Sequence, residues 1–234
     1  MATGIGGTLV LLLGELSDRV VGFSMGVASG IMLLVSFNNL FLEATGLLTH
    51  YQLILMFSLG AFVIICLDLI LPHIESTSRG GNATTGTQNR ATLIATGFSL
   101  HHLPEGLVIA AGYNYMPRIG MIILIAMLLH NIPEGVTISL LLRNSGMKAR
   151  KAAVVSFLSG LTESVGTLVG VIILSFVGMG RAVGPCLAFT AGVMIYLTAD
   201  ELIPVAHEYG YKHTVSVGVL LGIVLALLID VILS

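Results

Sequence analysis

The chain has 234 residues, 56% of them hydrophobic and 9% charged, with a mean hydropathy of +1.00 and a formal net charge of −2. A soluble domain carries about a quarter charged residues, so this composition excludes an ordinary soluble fold and indicates a polytopic membrane protein embedded in the lipid bilayer. With no excess of cations there is no basic surface to bind nucleic acid.

A membrane-crossing helix needs about 20 mostly apolar residues. Residues 1–14 are apolar but too short to cross, and no cationic stretch precedes them as in a signal peptide. Full spans are expected at 20–42 and 52–72, followed by a Gly-, Ser-, Thr- and Asn-rich loop over 73–91 that is expected to be flexible. Further spans are expected at 92–112, 119–142, 152–176, 184–206 and 213–233. The runs are too long, and lack the period-two alternation, for transmembrane strands. Cys66 and Cys186 fall inside apolar segments with no Cys-x-x-Cys, so they imply neither a disulfide framework nor a thiolate metal site.

Lys and Arg set orientation. Of the 10 in the chain, Arg118 and Arg181 fall on one side of this arrangement and the other eight on the opposite side. The side with eight is therefore expected to be cytoplasmic, with both termini extracellular if the first segment is the remnant of a full span. An internal repeat supports that condition. Shifting the chain by 162 residues lays Gly4 on Gly166, Gly30 on Gly192, Gly60 on Gly222 and Asp68 on Asp230. Three segments repeat at an offset of five, so the second copy is inverted, and such repeats place a transport site where the copies meet. The same alignment puts residue 1 opposite Glu163, which implies a truncated first helix.

The chemistry is concentrated in two hexapeptides, "HHLPEG" (His101 to Gly106) and "HNIPEG" (His130 to Gly135). Each sits at the centre of its span, where an ionisable residue costs at least about 2.5 kcal/mol on insertion. On a helix Glu105 lies four residues from His101 and three from His102, so one carboxylate is within reach of either imidazole. His130, Asn131 and Glu134 repeat the pattern on the next, antiparallel helix. Pro104 and Pro133 free the carbonyls of Leu100 and Leu129, and Gly106 and Gly135 permit close helix approach. Three imidazoles and two carboxylates at one depth suit a borderline divalent cation such as zinc, iron or nickel, and the lack of thiolate argues against Cu(I). Glu163, at the centre of "SGLTESVG", has no Lys or Arg within the membrane to pair with, which leaves a metal or a proton as its partner.

These motifs resemble the ZIP (Zrt/Irt-like) metal transporters, in particular the bacterial and archaeal zinc-uptake branch. "GFSMGVASGIMLLVSF" (Gly22 to Phe37) and "AGVMIYLTADELIP" (Ala191 to Pro204) look like that family's second and seventh helices. The resemblance implies an all-α bundle of eight helices, with inverted three-helix repeats flanking helices four and five. It also implies outward termini and a two-metal centre. One site would hold His101, Glu105, His130 and Glu134; the other would hold His102, Asn131 and Glu163 and share both glutamates. His102 departs from the usual Asn and puts metal preference in question. The loop from His73 to Arg90 holds one His where the family is often His-rich.

Outside the centre, Asn38 and Asn39 fall in the repeat opposite Asp200 and Glu201. By the expected topology the amides lie toward the outside and the acids toward the cytoplasm, so the acids would draw a cation inward and release it. Met25, Ser29 and Met32 share one face of the second span, and the resemblance suggests Met25 as an outer-gate contact. Ser99 either faces the site or bonds back to its own helix. The expected activity is transport of divalent metal, most simply Zn2+ and otherwise Fe2+, Mn2+ or Cd2+. The metal would be substrate, no organic cofactor is expected, and uptake should weaken in acid as protons compete for the ligands. An intramembrane metalloenzyme, a proton-coupled solute carrier and a metal-binding receptor remain open alternatives, and a homodimer is compatible with this reading.

Overall fold

A computed structural model describes residues 2–14, 16–70, 87–209 and 211–233, with the side chains at 68, 70, 87–95, 98, 179 and 180 outside the described set. The described residues form eight helices. α1 is Ala2–Leu13. α2 runs as Asp18–Leu34, Val35–Phe41 and Leu42–Thr45. α3 is His50–Ile70, α4 Thr87–Tyr115, α5 Pro117–Asn144 and α6 Ala149–Val177. α7 runs as Met179–Leu197, Thr198–Leu202 and Ile203–Tyr209, and α8 is Lys212–Ile232. No strand occurs among the described residues.

Among the described residues six helices, α2, α3 and α5 to α8, are both long and apolar enough to cross a membrane. α4 spans 29 residues and carries His101, His102 and Glu105 in mid-length. It begins at Thr87, earlier than expected from sequence, and the remainder of the 73–91 loop lies outside the described residues. Glycines with positive φ mark three of the joints. Gly14 follows α1, Gly146 follows α5, and Gly178 separates α6 from α7.

Small residues set the packing. α2 presents Gly26-Val-Ala-Ser-Gly30 to Gly218-Val-Leu-Leu-Gly222 on α8, the small-xxx-small arrangement that lets backbones touch in lipid. A Cβ on Gly26 would lie 2.6 Å from the Val215 carbonyl, and one on Gly218 would lie 2.6 Å from that of Phe23. The repeat is visible in these contacts. A Cβ on Gly30 would overlap the Val219 carbonyl, and one on Gly192 would overlap that of Phe57, which are the same contact displaced by 162 residues. The pairs Gly222–Val27 and Gly60–Phe189 correspond in the same way. α2 therefore packs on α8 as α7 packs on α3, and α1 on α5 as α6 on α4. The side chain of Asp68, aligned with Asp230, lies outside the described set.

The first helix needs a correction. Gly166 of α6 abuts the Leu103 carbonyl, and the equivalent contact to Ile132 is made by Gly6, not Gly4. Likewise Gly106 abuts Glu163, and Gly135 abuts Thr3. Glu163 therefore corresponds to Thr3, two residues from the position the gapless alignment gave. Between these contacts and those of Gly30 and Gly192 the second copy is longer by two residues, although its link is shorter, Gly178 alone against residues 14–17, so the extra length lies in the helix ends. The glycines of the two motifs thus serve contacts to α6 and α1, not a contact between α4 and α5.

The main core gathers Met25, Met32, Val35, Ile123, Met127 and Met194 between α2, α5 and α7, each nearly or fully buried. The faces of α3, α6 and α8 directed away from it expose Leu55, Phe62, Leu168, Ile172, Leu220 and Leu228, an apolar periphery suited to acyl chains. Cys66 and Cys186 are half-buried free thiols.

Candidate metal centre

Both hexapeptides remain helical through their prolines, Pro104 within α4 and Pro133 within α5. This brings the two His/Asn–Glu faces together at the middle of the molecule. His101, His102, Glu105, His130, Asn131, Glu134 and Glu163 are each at most 8% exposed. Their contacts follow the pseudo-two-fold axis. His101 Nε2 lies 3.6 Å from Glu134 Oε1, and His130 Nε2 lies 3.5 Å from Glu105 Oε1. His102 Nε2 is 3.3 Å from Glu134 Oε2, and His102, Glu105 and Glu134 each bring one ligand atom within 4.8 Å of the others. Asn131 Nδ2 donates to Glu163 Oε2 at 3.0 Å, so α6 joins at the same depth.

These spacings are informative. A charge-assisted N–H···O bond closes to about 2.7–2.9 Å, whereas two ligands about 2.0–2.1 Å from a tetrahedral Zn2+ stand about 3.3–3.4 Å apart. The His–Glu separations of 3.3–3.6 Å match the second case. His130 adds a chemical argument. Its Nδ1 lies 2.9 Å from the Ala126 carbonyl, an acceptor, so Nδ1 carries the proton. In the neutral ring Nε2 is then a lone pair aimed at the Glu105 carboxylate. Two facing acceptors need a cation between them, a metal or a proton. Both carboxylate oxygens of Glu105 and of Glu134 receive no hydrogen bond in this buried setting, which without a cation is costly. His102 is positioned by Ser159 Oγ, 3.3 Å from its Nδ1, and the Ser99 carbonyl accepts from Thr162 Oγ1 at 2.8 Å. Ser99 itself is half-buried.

The expected pathway residues divide into groups. Asn38 and Asn39 lie in a π-helical turn of α2, where the Leu42 N–H reaches back to the Phe37 carbonyl. Asp200 and Glu201 lie in the matching turn of α7, where the Ile203 N–H reaches the Thr198 carbonyl. Each turn widens the helix by one residue, as often occurs at functional sites. At one end Asn38 and Asn39 donate to Asp230 at 3.1 and 3.4 Å, and Arg118 Nη2 stands 3.9 Å from the same carboxylate. At the other, Glu201 Oε2 lies 3.3 Å from His101 Nδ1, with its side chain 27% exposed. Glu201 therefore adjoins the central cluster and is not a separate, solvated helix end; Asp200 is half-buried. Met25 is buried in the core and Ser29 bonds back to its carbonyl at 2.8 Å.

Sequence reasoning gave Asp230 no role beyond polar contacts at a helix end, and it did not anticipate the π turns. The paired Gly-xxx-Gly stretches were readable signals for α2–α8 packing that it did not use.

Comparison with known proteins agrees with this geometry. The family model described as ZIP Zinc transporter matches residues 72–230. The chain is 30% identical over 251 residues to the zinc transporter ZupT of Chlorobaculum parvum, covering 100% of this chain and 93% of that protein. It is 31% identical over 240 residues to ZupT of Corynebacterium glutamicum, covering 95% and 91%. It is 34% identical over 174 residues to the zinc transporter GufA of Myxococcus xanthus, covering 73% and 66%. An eight-helix bundle with inverted repeats, a buried imidazole–carboxylate centre and a match over most of its length together make this chain a member of the ZIP zinc transporter family.

Proposed function

We propose that the protein carries divalent cations, Zn2+ foremost, across the membrane into the cytoplasm through the central cluster. The observation that carries this reading is the set of buried, mutually facing His–Glu pairs at 3.3–3.6 Å, spaced for a shared cation. His101, Glu105, His130 and Glu134 hold one ion; His102, Asn131 and Glu163, with the shared glutamates, hold the second. Imidazole mixed with carboxylate suits a borderline ion and tolerates Fe2+, Mn2+ or Cd2+ as competitors. The Lys and Arg distribution supports extracellular termini, which makes Glu201 and Asp200 the cytoplasmic exit and the Asn38–Asn39–Asp230–Arg118 group the outer mouth. Transport then consists of exposing the cluster to one side at a time. Membership of a transporter family sets aside the metalloenzyme alternative.

The test is uptake of Zn2+ by purified protein in liposomes, with competing Fe2+, Mn2+ and Cd2+. Saturable uptake that these ions inhibit is expected. Uptake no faster than in empty liposomes would overturn the proposal.

A further inference from the structure

The ligand chemistry of the two hexapeptides differs at their second position, His102 in one and Asn131 in the other. One turn of α6 meets both residues. Glu163 accepts from Asn131 Nδ2 at 3.0 Å, and Ser159, four residues earlier and on the same face, places its Oγ 3.3 Å from His102 Nδ1. Ser159 is buried, as is His102. Its hydroxyl behaves unlike those of other serines in the spans. Ser29, Ser36, Ser175 and Ser216 each donate to the carbonyl four residues earlier in their own helix. Ser159 Oγ instead meets the imidazole of a different helix. The frame that holds it there is rigid. Thr162 Oγ1 donates to the Ser99 carbonyl of α4 at 2.8 Å and to the Ser159 carbonyl at 2.6 Å, while Gly166 abuts the Leu103 carbonyl and Gly106 that of Glu163. His130 has no such dependence on α6, because its Nδ1 is tied to the Ala126 carbonyl of its own helix.

We infer that Ser159 is a specificity-determining positioning residue, which sets the preference for zinc over harder divalent ions by holding the His102 imidazole and does so without touching the ion. This rests on the reading of the central cluster as the cation site. A neutral imidazole that offers Nε2 to a cation carries its proton on Nδ1, and a hydroxyl oxygen at that nitrogen accepts it. The ring is then held with Nε2 toward Glu134 Oε2, 3.3 Å away. Without the hydroxyl the buried Nδ1–H loses its partner and the ring its orientation. The cost falls on the ion that depends on nitrogen. Zinc loses a well-aimed imidazole, whereas manganese, which is served by carboxylate oxygen, keeps Glu105, Glu134 and Glu163.

The test is a double-mutant cycle of Ser159→Ala, His102→Asn and the two combined, with Glu134→Gln alongside. Zn2+ and Mn2+ binding to purified protein and their mutual competition in liposome uptake are measured. Ser159→Ala should weaken Zn2+ by about tenfold, the scale of a lost supporting contact at a metal, and leave Mn2+ nearly unchanged. The competition profile then moves in the direction that His102→Asn moves it. In the His102→Asn background Ser159→Ala should have no further effect, because the residue through which it acts is gone. A wild-type profile in Ser159→Ala, with Glu134→Gln impaired, would overturn the role of Ser159 alone. Equal losses for Zn2+ and Mn2+ would do the same, as would a loss that persists in the His102→Asn background, since each marks a packing effect. Wild-type binding by Glu134→Gln would instead overturn the central-site reading on which this inference rests.

Discussion

Glu134→Gln isolates the charge of a carboxylate that faces two imidazoles, His102 at 3.3 Å and His101 at 3.6 Å, while preserving its shape. Glu105, Glu134 and Glu163 bring three formal negative charges to a buried centre proposed to hold two divalent ions. The substitution removes one of the three, and the carboxylate lost is one shared by both ions. Removing one partner of a buried charge pair costs about 3–5 kcal/mol, which at 1.4 kcal/mol per decade is about a hundred- to a few-thousand-fold in affinity. Calorimetric titration of Zn2+ into detergent-purified protein, with uptake in liposomes alongside, reads this directly. Size exclusion and thermal melting establish that the variant is folded. The substitution should not compromise folding, because no hydrogen bond reaches either Glu134 oxygen. A folded Glu134→Gln protein that binds Zn2+ within about threefold of wild type would refute the reasoning, since a loss that small, under 1 kcal/mol, is the size of a surface contact.

His102→Asn should move the competition profile away from Zn2+ toward Mn2+ while total transport falls less, because an imidazole is exchanged for a weaker oxygen ligand; an unchanged profile would show that His102 does not touch the ion. Asp200→Asn should lower maximal uptake without changing Zn2+ affinity, whereas Glu201→Gln should change both, since Glu201 lies 3.3 Å from His101; calorimetry paired with initial rates separates the two. Gly222→Ala should cost about 1–3 kcal/mol of stability, because its Cβ meets the Val27 backbone and cannot be accommodated by a rotamer change. In a detergent melt it should lower Tm, while Gly46→Ala, whose Cβ meets only its own helix's Glu43 carbonyl at 3.5 Å, should not.

The second and third repeat helices were legible because close packing allows no insertion within a span. The shift of 162 residues that pairs Gly30 with Gly192 also pairs their backbone contacts. The first helix was misregistered by two residues because the extra length lies in the helix ends beside the joint, beyond the glycine contacts, where alignment of letters meets no steric constraint. The central residues were legible for an energetic reason. His and Glu cost too much in mid-membrane to occur without a purpose, so the two hexapeptides stand out from any neighbouring apolar text. Asp200 and Glu201 were read from the repeat and the expected topology, which assign a depth in the membrane and not a rotation about the helix. In the fold they lie in a π turn, and Glu201 stands 3.3 Å from His101.

The sequence by itself determined the class of molecule, the number of its helices, its inverted repeat and the residues of the centre. Hydropathy, glycine spacing and the cost of burying charge are local quantities, and each is written within one span. Which atoms meet was decided by tertiary structure. The fold gave Asp230 its partners Asn38, Asn39 and Arg118, turned His130 Nε2 toward Glu105 by tying Nδ1 to Ala126, and placed Thr3 in the position that corresponds to Glu163. Each of these depends on the rotation of one helix against another. Rotation is fixed by the glycine contacts of neighbouring helices in sum, and no single span encodes it.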